Sequence, residues 1–364
     1  MKKILTSLLI FCAFVYALPV ITVGAHVSSG NKAEDKTTQK ENTDYITAFD
    51  IWNDTMRELT ERAQQSQQSQ ASSDRPNQPE SYDENNYVSV MIKGETVRLT
   101  IKDYLAGVVA AEMPASFPVE ALKAQAVAAR SYMLYKIEMS GQTHDGGAQL
   151  CDDYTHCTAF FDIAADGKNL WGDDADYYAE RIYEAVEQTD GIVAVSGGEV
   201  IAAVFHSSSS DMTEDAENVW GVKYSYLTSV SSVGGSASPN YYGTVTLKQR
   251  DFCNTVLAKY PSASFSSNPS EWTGQITRSQ SGGVLSIEIG GIKLKGTEVR
   301  TMFGLNSTNF GIELKNGEVI FSTVGTGHGV GMSQYGAREM ALGGAAFDEI
   351  ILHYYTGVQL MVKN

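Results

Sequence analysis

Ala110-Ala111-Glu112-Met113-Pro114 runs into Pro118-Val119-Glu120-Ala121-Leu122-Lys123-Ala124-Gln125-Ala126-Val127-Ala128-Ala129-Arg130, two helical stretches parted by a proline-bounded break. Counting back from Glu112, Leu105, Val108 and Val109 fall at helical spacing on the same face, so the carboxylate stands where a hydrophobe is expected. Pro114 disfavours the α conformation at Met113, so the first helix is expected to end near Glu112 and leave its carboxyl at the negative end of the helix dipole. Desolvation and dipole both raise a carboxyl pKa, which keeps an acid protonated near neutral pH for general acid catalysis. The competing reading is a rim glutamate paired with Lys123 or Arg130.

The two helices sit between hairpins. Val88, Val90 and Ile92 alternate up to a turn at Lys93-Gly94, and Val97, Leu99 and Ile101 continue the pattern. Residues 191–195 and 200–205 flank Ser196-Gly197-Gly198-Glu199 as a second hairpin that would deliver His206 at a strand end. Residues 243–321 read as a second lobe, with a helix over 248–259 and strands over 274–278, 285–289 and 293–295. A final helix over 333–341 follows a glycine-rich loop, and Leu360 ends the last strand. The expected class is α+β: an N-terminal membrane helix (1–25), a polar linker (26–85), and a mixed helix and antiparallel-sheet catalytic region (86–364).

Lys2 and Lys3 precede an uncharged apolar run from Ile4 to Ala25, long enough for a membrane-spanning helix of about 20 residues. Val23-Gly24-Ala25 resembles a processing site, so a cleaved signal segment is the alternative; either reading exports the remainder. Residues 26–85, with Gln64-Gln65-Ser66-Gln67-Gln68-Ser69-Gln70, have the composition of a tether, interrupted by an amphipathic pattern over 43–62. With 364 residues, 43% hydrophobic, the chain can bury one large core or two modest ones. Its net charge of −16 argues against nucleic acid as a partner. The oligomeric state is left open, a homodimer included.

Three further segments carry chemistry. Cys151-Asp152-Asp153-Tyr154-Thr155-His156-Cys157, with His144 before it, offers two thiolates and two imidazoles, a tetrahedral zinc set. A Cys151–Cys157 disulfide is the alternative, and Asp152, Asp153 or water could replace His144 as fourth ligand. A closed shell makes the zinc structural; an open position allows Lewis-acid chemistry. His206 and Ser207–Ser210, followed by Asp211, Thr213 and Glu214, supply hydrogen-bonding groups at a strand end, or a capped polar loop. Glycines around His328 and Gln334 let backbone approach a ligand closely and expose both side chains, or form a tight structural turn. The loop lacks a phosphate-loop lysine and the dinucleotide spacing.

Residues 104–132 resemble the signature of the stage II sporulation protein D family. Phe205-His206-Ser207 through Val219-Trp220-Gly221 resembles its central motif, and Gly325-Thr326-Gly327-His328-Gly329-Val330-Gly331-Met332-Ser333-Gln334-Tyr335-Gly336-Ala337 its C-terminal motif. The similarity covers roughly residues 86–364. Where the family carries Gly-Gly before Thr-Glu, this chain has Ser210-Asp211. The resemblance implies a membrane-anchored peptidoglycan lytic transglycosylase of forespore engulfment, with Glu112 as acid and base. Arg130, His206, Ser209, Thr213, His328, Gln334 and Tyr335 would then bind glycan. Clostridial-type members carry a cluster similar to His144, Cys151, His156 and Cys157, which favours zinc over the disulfide. The implied partners are a membrane-bound sporulation amidase and a membrane protein that localises both. The rival is a noncatalytic wall-binding activator of an amidase, since relatives of that sort share the fold.

Overall fold

A computed structural model describes residues 80–138 and 144–363. The expected membrane segment and the amphipathic pattern over 43–62 lie outside these residues. Ser81 caps a one-turn helix, α1 (Tyr82–Asn85). β1 (Tyr87–Ile92) and β2 (Glu95–Thr100) pair antiparallel, and Lys93 and Gly94 between them both take positive φ, the two-residue turn that matches strand twist. Thr100 caps α2 (Ile101–Glu112), its hydroxyl accepting from the Asp103 amide at 3.0 Å, so Ile101 opens the helix instead of closing the strand. Met113 is extended (φ −124°, ψ 141°) ahead of Pro114, and the helix stops at Glu112 as expected.

The alanine-rich α3 (Val119–Glu138) is buried nearly all round. β3 (Leu150–Cys151) then joins β1 in parallel. α4 (Ile163–Trp171) and α5 (Ala175–Glu187) lead to β4 (Ile192–Ser196) and β5 (Glu199–Val200). The hairpin expected to run to His206 is shorter than its hydrophobicity suggests: pairing stops at Val200. β6 (Phe205–His206) pairs instead, in parallel, with Met332–Ser333. α6 (Ala216–Trp220) follows.

The second lobe comprises β7 (Tyr242–Lys248), α7 (Gln249–Lys259), β8 (Thr273–Arg278), β9 (Val284–Ile289), β10 (Ile292–Lys295), α8 (Gly296–Phe303), β11 (Phe310–Lys315) and β12 (Glu318–Val324). Two three-stranded antiparallel sheets, β10-β9-β8 and β11-β12-β7, enclose a separate core around Phe252, Trp272, Phe303 and Phe321. The chain returns through β13 (Met332–Ser333), α9 (Gln334–Leu342), an unanticipated α10 (Phe347–Tyr354) and β14 (Gln359–Val362), which pairs with β4 and contains Leu360 within it. α3 is the hub of the first lobe, touching α2, α5, α9, α10 and β4. Its small side chains, Ala121, Ala124, Ala126, Ala128 and Ala129, permit that close approach on every side.

Arg130 corrects two expectations. It is 0% exposed; its Nε lies 3.0 and 3.1 Å from the two Asp83 carboxylate oxygens, and it donates to the Ile192 carbonyl at 3.0 Å. With each guanidinium nitrogen engaged inside the fold, it has no surface open to a ligand, contrary to the glycan-binding expectation. Asp83, 2% exposed, belongs to the segment whose composition reads as linker, so the folded region starts by residue 80 and not at 86. Asp190 fixes the segment by accepting from the Tyr82 and Asp83 amides at 3.0 and 2.8 Å. Asp83→Ala strands a buried guanidinium and is expected to cost about 3–5 kcal/mol in urea denaturation. An unchanged midpoint would show that Arg130 has no need of this partner.

Candidate active site

Leu105, Val108 and Val109 are all 0% exposed, and Glu112, on their face of α2, is half-buried at the mouth of a cleft. One carboxylate oxygen accepts from the Ala159 amide at 3.3 Å, the other from the Gln334 side-chain amide at 3.2 Å. Burial pushes the Glu112 carboxyl above its ordinary value, and the bonds from Gln334 and Ala159 pull the other way. Neither cation of the rim-pair reading is at hand: Lys123 pairs with Glu120 at 2.6 Å and Arg130 with Asp83.

Ala159 is held by a loop laid across α2. Tyr104 and Thr158 hydroxyls meet at 2.9 Å, and the Phe161 amide donates to the Gly107 carbonyl at 3.1 Å. A Cβ on Gly107 would lie 2.2 Å from the Phe160 ring, so only glycine lets the loop come this close. Beyond the helix, Ala115 and Phe117 carbonyls accept from Arg181 of α5 at 3.1 and 2.7 Å. The Glu112 cleft, about 410 Å³, is completed by Leu170, Trp171 and Tyr178. A larger hollow, about 880 Å³, lies between the first hairpin and residues 160–166; of the residues proposed from sequence for chemistry it is lined only by Asp152, an alternative metal ligand.

The same loop begins in the cysteine cluster. The ligand atoms of His144, Cys151, His156 and Cys157 all lie within 4.8 Å of one another. Cys151 Sγ is 3.7 Å from His156 Nδ1, and Cys157 Sγ is 3.5 Å from His156 Nδ1 and 3.4 Å from His144 Nε2. The two cysteines are not joined in a disulfide. Asp152 and Asp153, the other candidates for the fourth position, are engaged with the Lys93 amide and with Thr155. These four residues could hold a metal ion.

The remaining candidates divide. Gln334 and Tyr335 reach the glutamate segment, Tyr335 through an edge contact with Phe117 (5.2 Å between centroids). His206, Ser209, Thr213 and His328 form a different cluster. His206 Nδ1 donates to the Val330 carbonyl at 3.0 Å and its Nε2 accepts from Ser209 Oγ at 2.5 Å. Burial, with His328 and Arg300 nearby, pushes His206 down to about 3; burial, with Arg300, pushes His328 down to about 4. Both imidazoles are neutral at physiological pH. His328 accepts from its own loop's Val330 amide at 3.1 Å, and its ring lies 5.2 Å from Trp220 and 5.6 Å from His206. The glycines therefore leave the imidazole half-buried with its ring turned toward His206 and Trp220, short of the exposure expected of it. Thr213, 0% exposed, bonds the Val230 backbone. The hollow beside Ser209 and His328 is about 30 Å³, room for one water molecule and not for a sugar, and shares no lining residue with the Glu112 cleft. Ser210 and Asp211, in place of Gly-Gly, both have negative φ, and Ser210 Oγ donates to the Ser281 carbonyl at 3.0 Å.

Trp171 and Tyr178 went unread in the sequence, where residues 158–190 present no motif. The available signal was a tryptophan and paired tyrosines persisting in a run that also carries Asp173, Asp174 and Asp176.

A helix-terminal glutamate, held from one side by a cysteine/histidine loop and from the other by a glycine-rich C-terminal segment, is the site this fold builds, and the chain that carries it is similar to known proteins. The Stage II sporulation protein family model matches residues 93–195, which span α2, the cysteine loop and the aromatic side of the cleft. Stage II sporulation protein D of Bacillus subtilis (strain 168) is 36% identical over 263 residues, 72% of this chain and 74% of the relative. Its counterpart in Bacillus amyloliquefaciens is 35% identical over the same length, covering the same shares. The Amidase enhancer of Bacillus subtilis (strain 168) is 28% identical over 307 residues, 70% of this chain and 40% of the relative. The chain belongs to the stage II sporulation protein D family.

Gln334 donates to the ionised carboxylate, so removing it favours the protonated form. In Gln334→Leu the Glu112 pKa is expected to rise further, followed by carboxyl carbon NMR across pH; a fall would show that the amide does not hold the anion.

Proposed function

We propose that the protein is a peptidoglycan lytic transglycosylase, cleaving the glycan strand between N-acetylmuramic acid and N-acetylglucosamine to leave 1,6-anhydro ends. The observation that carries the reading is the solitary acid: among the described residues, Glu112 is the one carboxylate lining its cleft. An ordinary glycosidase needs a second carboxyl group about 5–10 Å away as nucleophile or base. A transglycosylase does not, because the sugar's own 6-hydroxyl attacks. Protonated Glu112 gives its proton to the glycosidic oxygen as the bond to the anomeric carbon breaks. The resulting carboxylate then takes the proton of the 6-hydroxyl as the anhydro ring closes. Burial favours the protonated start of this cycle, and the Ala159 and Gln334 donors stabilise the anion in its middle.

We infer that the cysteine cluster holds zinc. A tetrahedral ion with Zn–S and Zn–N bonds of about 2.3 and 2.05 Å sets sulfur and nitrogen ligands about 3.6 Å apart, close to the 3.4–3.7 Å separations here. Four protein ligands close the shell, so the ion would cross-link the loop that ends at Ala159 and leave the acid chemistry to Glu112.

Family membership supports a role in sporulation, and we place the activity at forespore engulfment. There an N-terminal anchor would hold the catalytic region outside the cytoplasm, beside an amidase that strips stem peptides and a membrane protein that localises both, with a homodimer as one arrangement. The similarity to an amidase enhancer favours a second reading, a noncatalytic wall-binding activator, which requires glycan binding without cleavage.

Glu112→Gln separates the two. It is expected to lower release of fragments from purified glycan strands by about 10²- to 10⁴-fold, and a rate above half of wild type would move the acid elsewhere. Because burial raises the folded-state pKa, the native protein holds the Glu112 proton preferentially and loses stability as pH climbs through the raised pKa. The glutamine variant, neutral throughout, should be at least as stable as wild type at pH 7 by thermal denaturation.

Metal analysis of the purified protein should find one zinc per chain, lost in Cys151→Ser with a lowered thermal midpoint. Absence of metal together with Cys151 and Cys157 oxidised to each other would return the disulfide.

A further inference from the structure

One side of the Glu112 cleft is left unused by the acid chemistry. α4 ends at Trp171, and α5 brings Tyr178 beside it with ring centroids 6.0 Å apart. Phe161 continues the row 5.5 Å from Trp171, and Tyr177 extends it 5.3 Å from Tyr178. Trp171, Tyr178 and Leu170 line the cleft together with Glu112 and Ser116. Leu170 is 57% and Tyr177 46% exposed, so apolar surface stays open to solvent beside the acid.

This arrangement is fixed relative to the carboxyl. Arg181, one turn after Tyr177 on α5, donates to the Ala115 and Phe117 carbonyls immediately downstream of Glu112. The helix that carries the tyrosines thus also clamps the loop that follows the acid. The cleft has the volume of a small-molecule site, with rings on one side and a carboxyl and a hydroxyl on the other. Its complement is a ligand with an apolar face and a polar edge. A pyranose is such a ligand: its axial C–H bonds present the face that packs on the electron-rich face of an aromatic ring, and its hydroxyls point outward.

We propose that Trp171 and Tyr178 are the stacking platform that holds the sugar next to the scissile bond, with Leu170 of α4 and Tyr177 of α5 extending it. The proposal rests on the transglycosylase reading for its ligand, a glycan strand, and adds the residues that bind it. The platform positions the glycosidic oxygen at Glu112 and exchanges no proton itself.

The test uses peptide-free glycan strands and calorimetric titration in the Glu112→Gln background, where binding proceeds without cleavage. Trp171→Leu keeps apolar volume and loses the ring; Trp171→Phe keeps a ring. The leucine variant is expected to bind roughly three- to tenfold more weakly and the phenylalanine variant about as tightly as the parent. With Glu112 intact, Trp171→Leu should lower kcat/KM roughly three- to tenfold at an unchanged thermal midpoint and Trp171→Phe should restore it, which loss of packing alone would not do. Tyr178→Leu, on the other helix, is read in the same way. Leucine variants that fold and bind like the phenylalanine variant overturn the platform, while Glu112-dependent cleavage would still support the transglycosylase reading. A parent protein that binds no glycan overturns both.

Discussion

The Gln334 amide meets the Glu112 carboxylate across 222 residues of sequence, and the topology of the first lobe is what makes that contact available. Gln334 opens α9, whose cap is Ser333, and Ser333 is the end of a two-residue strand paired in parallel with Phe205–His206. α9 packs on α3, and α3 packs on α2, which carries the glutamate. A hydrogen bond to a charged group contributes roughly 1.5–3 kcal/mol, which offsets part of what half-burying the carboxylate takes away. The bond therefore lets a carboxyl group sit out of full solvent contact and remain able to ionise. The Ala159 amide, supplied by the cysteine loop, does the same from the other side.

What the sequence revealed and what it concealed divide along the range of the interactions. Glu112 was legible because its signals are local: apolar residues three, four and seven positions earlier, and a proline two positions later. The first hairpin, α3, α9 and, in the second lobe, α7, β8, β9 and β10 were legible for the same reason, whereas β7, α8, β11 and β12 were not anticipated. Arg130 was misread because its partner, Asp83, lies 47 residues upstream in a segment that composition marks as a tether. A charged residue on a helix looks functional until its counter-charge is found. The strand ending at His206 changes partners after Val200, since its second neighbour is β13 and not the strand before it, and no local pattern announces that.

The histidines teach a related lesson about glycine. Gly327 and Gly331 take φ of 109° and 70°, and a Cβ would meet His206 Cβ at 2.8 Å and the Val204 carbonyl oxygen at 2.1 Å. Glycine serves close approach here, as expected, but the approaching group is the protein's own chain. His206, Ser209, Thr213 and His328 then satisfy one another and nearby backbone, and the hollow left beside them is too small for a sugar. The glycine-rich motif contributes by placing Gln334, and the central motif seats the lobes together: Glu214, 5% exposed, accepts from Ser279 Oγ of the second lobe at 2.6 Å and from Asn218 of the first at 2.7 Å.

A single half-buried carboxyl serving as acid and then base makes one chemical commitment that an ordinary hydrolase does not: no water oxygen enters the product. Purified glycan strands digested in ¹⁸O-labelled water and analysed by mass spectrometry test this directly. The account predicts 1,6-anhydro ends with no label. Reducing ends carrying one ¹⁸O would establish hydrolysis and contradict it, and strands left uncut would favour the noncatalytic activator.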